Sequence, residues 1–406
     1  MAMMRLSDAE AAIHRLLTLS VEAESVSLAG AEGRFLAQDL MSPVDLPPHE
    51  NSAVDGFALR FADLPAAAPA RLRLIGTAAA GRAWDRPVHA GEAVRILTGA
   101  RLPASADTVA MQEYGGLDGD TLHLMRLPRR GANIRSRGED IRAGALAIRA
   151  GHRLRAPEIA LAAALGQVSL PVFRPLSVGL FSTGDEVRDP GTLLLPGQIW
   201  DANRWMLRHL LERLGCRVAD HGILADEAPG VERALQQAAH DHDLLITSGG
   251  ISVGAEDHVG AVIRRRGSLD IWRLAIKPGK PVGFGEIDTC PILALPGNPI
   301  ASMVLLLTLG RGIVRRLAGA AATEVPCLYL PAGFAFDKKP GRREFLLARI
   351  ENDGAGASKA VPLEKQGSAM LSTTPHLQGL IDLPEEMERV SPGDMVRFLA
   401  LDSLLG

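Results

Sequence analysis

The stretch Asp243-Leu-Leu-Ile-Thr-Ser-Gly-Gly-Ile-Ser-Val-Gly254 joins a short apolar run to a glycine-rich turn. The apolar run has the length and composition of a buried β-strand, and residues 259–265 beyond the turn have the apolar spacing of a helix. A strand, a tight turn and a helix in this order form the repeating unit of sheets that are covered by helices. The stretch therefore predicts that an α/β domain surrounds it.

The same alternation extends in both directions along the chain. Strands are predicted at 177–181, 217–224, 243–247, 271–276 and 291–295, and helices at 203–214, 231–240, 259–265 and 300–317. Regular alternation of this kind is typical of a doubly wound, mostly parallel sheet. We therefore predict an α/β domain over residues 176–319.

The segments on either side of this domain have a different pattern of apolar residues. A helix is predicted near the N-terminus, where Ser7-Asp-Ala-Glu10 resembles a capping box. Residues 42–137 contain short apolar stretches cut by Gly and Pro, which predict a β-rich insert, and 156–165 is helical in character. After residue 320 the helical period disappears and strand-like stretches predict a small β module.

Composition limits the classes of function. A chain of 406 residues is long enough for two to four domains. The net charge of −3, from 44 basic and 47 acidic side chains, provides no basic field for nucleic acid or an anionic membrane. The longest apolar run is shorter than the ~18 residues that a membrane helix needs. Three scattered cysteines without C-x-x-C spacing favour a reducing, cytoplasmic location over a disulfide framework or a zinc cluster.

Unusual residues follow five of the predicted strands. Open parallel sheets bind ligands beyond the carboxyl ends of their strands, so these residues are candidates for a site. They are Thr183, Asp185 and Glu186; Asp226; Ser248, Gly249, Gly250, Ser252, Gly254 and Asp257; Lys277 and Lys280; and Pro296 and Pro299.

Each group has a functional and a structural interpretation. The 249–254 turn can offer backbone N–H groups to a phosphate at a helix N-terminus, or can be an ordinary strand-to-helix turn. The neighbouring Lys277 and Lys280 favour the anion site, whereas Asn298-Pro299 has the pattern of a helix start. Carboxylates at one sheet edge suit Mg²⁺, although single acidic loop residues are ordinarily just solvated. Neither H-E-x-x-H nor G-x-S-x-G is present, so covalent catalysis is not indicated.

Eight motifs in order carry a resemblance to a known family. They are Glu50-Asn-Ser-Ala-Val-Asp-Gly-Phe-Ala58, Arg95-Ile-Leu-Thr-Gly-Ala100, Asn133 through Gly138-Glu-Asp-Ile141, Ser182-Thr-Gly-Asp-Glu186, Ser248-Gly-Gly-Ile-Ser-Val-Gly254, Lys277-Pro-Gly-Lys-Pro281, Leu295-Pro-Gly-Asn-Pro299 and Gln366-Gly-Ser368. Together they resemble the molybdopterin molybdenumtransferase family, which carries out the last step of molybdenum cofactor assembly and includes the gephyrin E domain.

The resemblance implies four modules and a homodimer. The modules are an elongated discontinuous domain (1–41 and 138–175), the β-rich insert (42–137), the molybdopterin-binding α/β domain (176–319) and a C-terminal β domain (320–406). The joining of 1–41 to 138–175 comes from the resemblance alone.

The resemblance also implies a reaction. Adenylylated molybdopterin and molybdate are consumed, a divalent cation such as Mg²⁺ assists cleavage of the phosphoanhydride, and AMP is released. Glu186, Asp226 and Asp257 match the acidic positions that hold the cation. Lys277, Lys280, Arg342 and Ser368 are the expected partners of molybdate and phosphate oxygens.

Further residues are assigned by the same resemblance. Asp55, Thr98 and Asp140 match motif positions outside the α/β domain, and Asp55 and Thr98 are expected to enter the active-site cleft across the dimer contact. Substrate binding is expected of residues at the sheet edge, namely Thr183, Asp185, Ser248, Gly249, Gly250, Ser252, Gly254, Pro296 and Pro299.

The chain departs from the family pattern at a few positions. Glu50, Val54, Phe57 and Ala369 stand where Asp, Met, Tyr and Gly are usual, and Leu377-Gln-Gly-Leu380 replaces a common Ala-Asn-Gly sequence. These departures leave the assigned site residues intact.

Two other functions are compatible with parts of the chain. A molybdopterin adenylyltransferase resembles only the α/β domain, so the 175 residues before that domain argue against it. A scaffold like the gephyrin E domain binds receptor segments, and the retained carboxylates and lysines favour an enzyme instead. The residues suit molybdate and tungstate equally. They leave open whether a separate adenylyltransferase docks here and which molybdoenzymes accept the product.

Overall fold

The computed structural model describes residues 3–17, 19–224, 228–249, 258–321, 324–352, 356 and 358–405. The chain folds into two compact units. The larger unit comprises Met1–Ala37, Gly151–Leu154 and Leu170–Gly406, and the smaller unit comprises Gln38–Ala150 and Arg155–Ser169. No helix among the described residues is long and apolar enough to cross a membrane.

The larger unit is built on a six-stranded sheet. Across the sheet the strands are Arg217–Leu224, Ser177–Thr183, Leu244–Ser248, Cys290–Leu295, Pro281–Ile287 and Gly267–Arg273. The first four strands pair in parallel, and the last two add antiparallel ladders. The predicted mostly parallel α/β sheet is therefore confirmed.

Helices cover both faces of this sheet. Helix Asn203–Arg213 and the segment that begins with helix Pro299–Leu305 pack on one face, and helices Ala228–Asp241 and His258–Arg266 pack on the other. The Pro299–Leu305 helix continues through a π-helical turn, Leu306–Gly310, into helix Arg311–Leu317. The strand Ser177–Thr183 is buried along most of its length because it contacts helices on both sides.

Three details differ from the sequence prediction. Strand Pro281–Ile287 was not predicted, because its one proline and two glycines lower strand propensity. Its pairing with Gly267–Arg273 also moves the strand predicted at 271–276 toward the N-terminus. The first helix runs Leu6–Leu16 with Arg5 at its N-cap and no side-chain cap bond. Ser7 therefore lies inside the helix, and the predicted capping box was wrong.

A second sheet completes the larger unit. Its strands, in order, are Ile276–Lys277, Arg343–Asn352, Gly379–Leu383, Met395–Ala400 and Leu328–Pro331, and Ser358–Pro362 also pairs with Arg343–Asn352. The other elements of this unit are strands Ala23–Ser27, Ser169–Phe173, Val187–Arg188, Ile199–Trp200, Phe336–Asp337 and Arg389–Val390, 3-10 helices Leu28–Gly30 and Leu371–His376, and helix Leu401–Leu405. The described part of residues 320–406 thus contains the predicted β structure.

The smaller unit contains a third six-stranded sheet. In order, its strands are Thr108–Met111, Gly56–Leu59, Glu92–Ile96, Ala70–Ala78, Thr121–Leu124 and Gly115–Asp118. Short pairs join Leu40–Met41 to Leu146–Ile148 and Asn51–Ser52 to Ile134–Arg135, and the unit also has helix Ala156–Ala164 and 3-10 helices Phe61–Asp63 and Gln112–Tyr114. The β-rich texture predicted for 42–137 is present. Strand Gly56–Leu59 is buried along its whole length.

Candidate active site

A pocket of about 350 Å³ lies in the larger unit between its two sheets. Its lining is Ile276, Lys277, Pro278, Gly279, Lys280, Pro281, Pro296, Asn298, Ala301, Arg342, Gln366, Gly367 and Ser368. Five predicted site residues therefore meet here, namely Lys277, Lys280, Pro296, Arg342 and Ser368. They come from four separate segments of the chain, namely 276–281, 296–301, residue 342 and 366–368.

Strand pairing brings two of these segments together. Strand Ile276–Lys277 runs parallel to the start of strand Arg343–Asn352, with Lys277 opposite Glu344. Arg342 immediately precedes the latter strand and lines the pocket. Between the two lysines, Gly279 has a φ of +107°, and a Cβ there would lie 2.9 Å from Leu305 Cγ. Glycine thus lets the loop pack closely against the helix while both lysines remain on the pocket.

Gln366 fixes the third segment of the pocket. Its side chain accepts a hydrogen bond from the Leu347 N–H at 2.9 Å and donates to the carbonyl oxygens of Leu347 at 2.9 Å and Leu363 at 2.7 Å. The Ile300 N–H donates to the Ser368 carbonyl oxygen at 2.9 Å. Ser368 is therefore held at the first turn of helix Pro299–Leu305. As predicted, this helix has Asn298 at its N-cap and a proline at its start.

The pocket has an excess of positive charge. Lys277 forms an ion pair with Glu344, whose Oε2 lies 3.2 Å from the Lys277 Nζ. Within the part of the chain that the structure describes, Lys280 and Arg342 have no ion-pair partner. Ammonium and guanidinium groups in this state are ready to donate charge-assisted hydrogen bonds to an anion. The pocket is therefore suited to a small oxyanion.

The carboxyl ends of three parallel strands lie beside Pro296. Ser182, Ser248 and Leu295 are in register across the sheet. The Asn203 side-chain amide donates to Ser248 Oγ and to the Gly297 carbonyl oxygen, both at 2.7 Å. Asn203 therefore ties the first turn of its helix to the ends of two strands. Asn203 could not be predicted from local sequence because its partners lie 45 and 94 positions away.

Gly249 begins the predicted phosphate-binding turn. Its φ is +89°, and its N–H donates to the Leu295 carbonyl oxygen at 2.9 Å. A Cβ at this position would lie 2.7 Å from the Thr183 carbonyl oxygen. The turn therefore requires glycine on both conformational and steric grounds. Thr183 is thus placed next to Gly249, as the sheet-edge argument predicted.

Glu186 and Asp185 occupy the loop after strand Ser177–Thr183. Both are exposed. The Glu186 carboxylate folds back over Gly184, where a Cβ would lie 2.7 Å from Oε2. The Asp185 carbonyl oxygen accepts a hydrogen bond from Arg188 at 2.9 Å. Both carboxylates are therefore accessible to a ligand.

The structure tests the predicted cation site only in part. Asp226, Gly250, Ser252, Gly254 and Asp257 lie outside the described residues, so only one of the three predicted ligands, Glu186, has a described position. Among the residues whose positions are described, no group of three His, Cys, Asp or Glu side chains could hold a metal ion. The Mg²⁺ site remains a prediction.

In the smaller unit, Asp55 and Thr98 contact each other. Gly56 pairs with Ile96, so the turn before one strand meets the loop after the other. Asp55 Oδ1 accepts hydrogen bonds from the Thr98 N–H and from its hydroxyl, each at 2.7 Å. These bonds, led by the N–H, lower the pKa of Asp55. Asp140 is exposed, and its N–H donates to the Leu46 carbonyl oxygen at 3.0 Å.

Three family descriptions match successive parts of the chain. They are the MoeA N-terminal region (domain I and II) over residues 4–166, a probable molybdopterin binding domain over 179–316 and the MoeA C-terminal region (domain IV) over 329–401. The class of protein that fold and sequence define is thus a protein of molybdenum cofactor biosynthesis.

Individual relatives match from end to end. The molybdopterin molybdenumtransferase of Haemophilus influenzae is 35% identical over 406 residues, covering all of both chains. Molybdopterin molybdenumtransferase 2 of Mycobacterium tuberculosis is 32% identical and covers 92% of this chain and 94% of its own. Because whole chains match proteins named as transferases, neither a lone adenylyltransferase domain nor a scaffold is favoured.

Solved structures agree with the fold. Two crystal structures of the molybdopterin biosynthesis MoeA protein from Pyrococcus horikoshii superpose with TM-scores of 0.85 and 0.78, at 26% and 30% identity. Each match covers 98% of this chain. It also covers 100% of the first Pyrococcus chain and 99% of the second. The chain belongs to the molybdopterin molybdenumtransferase family, which confirms the resemblance carried by its eight motifs.

Proposed function

We propose that this chain transfers molybdenum from molybdate to the dithiolene of adenylylated molybdopterin and releases AMP. Two Mo–S bonds form while one molybdate oxygen leaves as water with the two thiol protons. One water cleaves the phosphoanhydride, so atoms balance and no oxidant or reductant is needed. The observation that carries the proposal is the cationic pocket, whose Lys280 and Arg342 have no ion-pair partner among the described residues.

The pocket residues divide the work of holding molybdate. Arg342 offers a planar pair of N–H donors, which matches two oxygens of a tetrahedral anion. Lys277 and Lys280 contribute charge from the loop between the two sheets, and the Ser368 hydroxyl adds a neutral donor. Pro296 borders the pocket from the sheet side, and Pro299 begins the helix that follows it. The same donors suit tungstate, which has the same shape and charge.

The pterin nucleotide is proposed to bind at the adjoining sheet edge. Thr183, Ser248 and the glycine turn 249–254 provide backbone and hydroxyl donors for its phosphates. This edge adjoins the oxyanion pocket through Pro296, which directly follows the strand Cys290–Leu295. In this proposal the dithiolene and molybdate meet in one region of the larger unit.

Mg²⁺ is the proposed cation, with Glu186, Asp226 and Asp257 as its ligands and Asp185 nearby in sequence. When bound, such an ion neutralises charge on the pyrophosphate and polarises it. Glu186 is exposed and therefore accessible to a cation. Carboxylate oxygens are the ligands that Mg²⁺ prefers.

The remaining assignments concern assembly and location. We propose a homodimer in which Asp55 and Thr98 of one chain serve the cleft of the other, with Asp140 as a further substrate-binding residue. A cytoplasmic location is supported by three free cysteines. An adenylyltransferase that supplies the substrate and molybdoenzymes that accept the product are the proposed partners.

An AMP-release assay tests the proposed reaction. Purified protein with adenylylated molybdopterin and Mg²⁺ should release AMP in proportion to added molybdate, without ATP. An adenylyltransferase would instead require ATP and form the adenylylated substrate. Molybdate-independent release, or none at all from folded protein, would contradict the transferase assignment.

A further inference from the structure

Glu344 is an acidic residue that contacts Lys277, and Lys277 lines the cationic pocket. Its side chain is only 6% exposed, whereas that of Lys277 is 56% exposed. The pair is set by strand register, since Lys277 lies opposite Glu344 in the parallel ladder. Glu344 is not among the predicted site residues and has no part in the proposed binding of molybdate.

A buried carboxylate must be compensated, and Lys277 provides the compensation. Taking a charge out of water is costly unless the charge is paired and hydrogen-bonded. The Lys277 Nζ donates to Glu344 Oε2 at 3.2 Å. Lys338 also interacts electrostatically with Glu344, but its Nζ donates to the carbonyl oxygens of Glu385 and Met387 at 3.2 and 2.9 Å. Lys277 is thus the direct partner of Glu344 among the described residues.

The pairing has two consequences for a bound anion. It holds the Lys277 ammonium at the pocket, and an ammonium has further donors free for a second acceptor. It also opposes the charge of Lys277, Lys280 and Arg342 with one buried negative charge. The carboxylate therefore orients a donor and weakens the net attraction for a dianion at the same time.

We infer that Glu344 is a positioning residue that orients Lys277 and limits how tightly the pocket holds its oxyanion. The inference rests on the proposed function, because it takes the oxyanion to be molybdate on its way to a sulfur acceptor. An anion held too tightly before the reaction raises the barrier to its transfer, since only binding gained in the transition state accelerates a step. Glu344 keeps the binding of molybdate moderate.

Glu344→Gln separates charge from position. Glutamine keeps a side-chain oxygen that can accept from Lys277 but removes the negative charge. The dissociation constant for molybdate, measured by isothermal titration calorimetry without pterin, should fall about three- to tenfold. In turnover assays the KM for molybdate and kcat should both decrease. A merely structural role for Glu344 would leave affinity unchanged or weaken it.

Matched variants control the measurement. Glu351 lies on the same strand as Glu344 but away from the pocket, and its carboxylate pairs with Arg349 at 2.6 Å. Glu351→Gln removes this carboxylate and should leave the dissociation constant for molybdate unchanged. Glu344→Asp keeps the charge and should give no gain in affinity. In a Lys277→Met background, Glu344→Gln should change the dissociation constant less than about twofold, because the inferred effect of Glu344 passes through its hydrogen bond with Lys277.

The outcomes separate the inference from the proposed function. If the wild-type protein binds molybdate and Glu344→Gln binds it equally or more weakly, the inference is overturned while the proposed function stands. If the gain persists fully in the Lys277→Met background, the effect does not pass through Lys277 and the inference is also overturned. If the wild-type pocket binds no molybdate, both fail.

Discussion

At the scale of single residues, Gly249 is where backbone geometry most tightly limits the side chain. Gly249→Ala places a Cβ within 2.7 Å of the Thr183 carbonyl oxygen in a left-handed backbone conformation. We expect a loss of roughly 1–3 kcal/mol in stability together with weaker binding of the pterin nucleotide. Chemical denaturation and nucleotide titration measure the two effects. Gly230→Ala, in open space on a helix, is the control and should be neutral. Equal behaviour of the two variants would contradict the steric argument.

Arg342 is assigned to the oxyanion on the geometry of its guanidinium. Arg342→Lys retains the charge but loses the planar pair of donors, so the KM for molybdate should rise about tenfold to hundredfold, the equivalent of ~1.5–3 kcal/mol. Arg349→Lys, at a surface ion pair on the following strand, should have no effect. Sulfate should compete with molybdate in the wild-type protein. Unchanged molybdate dependence with weaker nucleotide binding would move Arg342 to the phosphates of the substrate.

The cysteines differ in reactivity because they differ in burial. Burial raises the pKa of the Cys216 and Cys290 thiols to about 12. Since the thiolate is the reactive form, neither should react with a thiol reagent such as DTNB at pH 8 in the folded protein. Only the partly exposed Cys327 should be modified quickly, and all three should react in denaturant. Rapid modification of two or more thiols in native protein would show that the core opens.

At the scale of elements, two neighbouring residues of the strand Arg343–Asn352 form ion pairs with different strands. Glu344 pairs with Lys277, while Arg343 donates twice to Asp382 at 2.6 Å. The apolar run of this strand was predictable from sequence. Its register was not, because register depends on contacts with residues 67 and 39 positions away. For the same reason the sequence pointed to Lys277 but not to Glu344.

His242 makes the junction between helix Ala228–Asp241 and strand Leu244–Ser248 sensitive to pH. Its Nδ1 lies 2.8 Å from Ser177 Oγ, and its Nε2 lies 2.9 Å from the Nε2 of His221. Burial, followed by the nearby His221, lowers the pKa of His242. The unfolded chain therefore binds this proton more readily, and stability should fall as pH drops below about 6.5.

Thermal melts between pH 8 and 5 test this dependence. The melting temperature of the wild-type protein should decrease below about pH 6.5, and His242→Gln should flatten that part of the curve because glutamine does not titrate. The nearby Asp243 has a pKa below its usual 3.8, so its contribution is lost at more acidic pH. Identical slopes for both proteins between pH 6.5 and 5 would contradict the role of His242.

At the scale of the whole molecule, the candidate residues are divided between the two compact units. The cationic pocket belongs to the larger unit, whereas Asp55 and Thr98 belong to the smaller unit. The alternation of strands and helices in 176–319 was sufficient to predict the α/β sheet. The joining of 1–41 to 138–175 stays a prediction that rests on the resemblance, because apolar periodicity records local conformation and not long-range pairing.

Sharing of sites between chains is testable by mixing inactive variants. Asp55→Ala and Glu186→Ala should each be inactive as homodimers. A heterodimer of the two should regain activity, because one of its two sites then contains only wild-type residues. The measurement is AMP release after subunit exchange has been verified. Absence of recovery would show that Asp55 and Glu186 act within one chain.

The central claim is that the pocket formed by Lys277, Lys280, Arg342 and Ser368 binds molybdate. Anomalous diffraction at the molybdenum K edge from crystals soaked in molybdate tests it most directly. We predict one strong anomalous peak in this pocket, within hydrogen-bond distance of the Arg342 guanidinium, and its loss in Arg342→Ala crystals. A peak elsewhere in the molecule, with this pocket empty in crystals of active protein, would contradict the account.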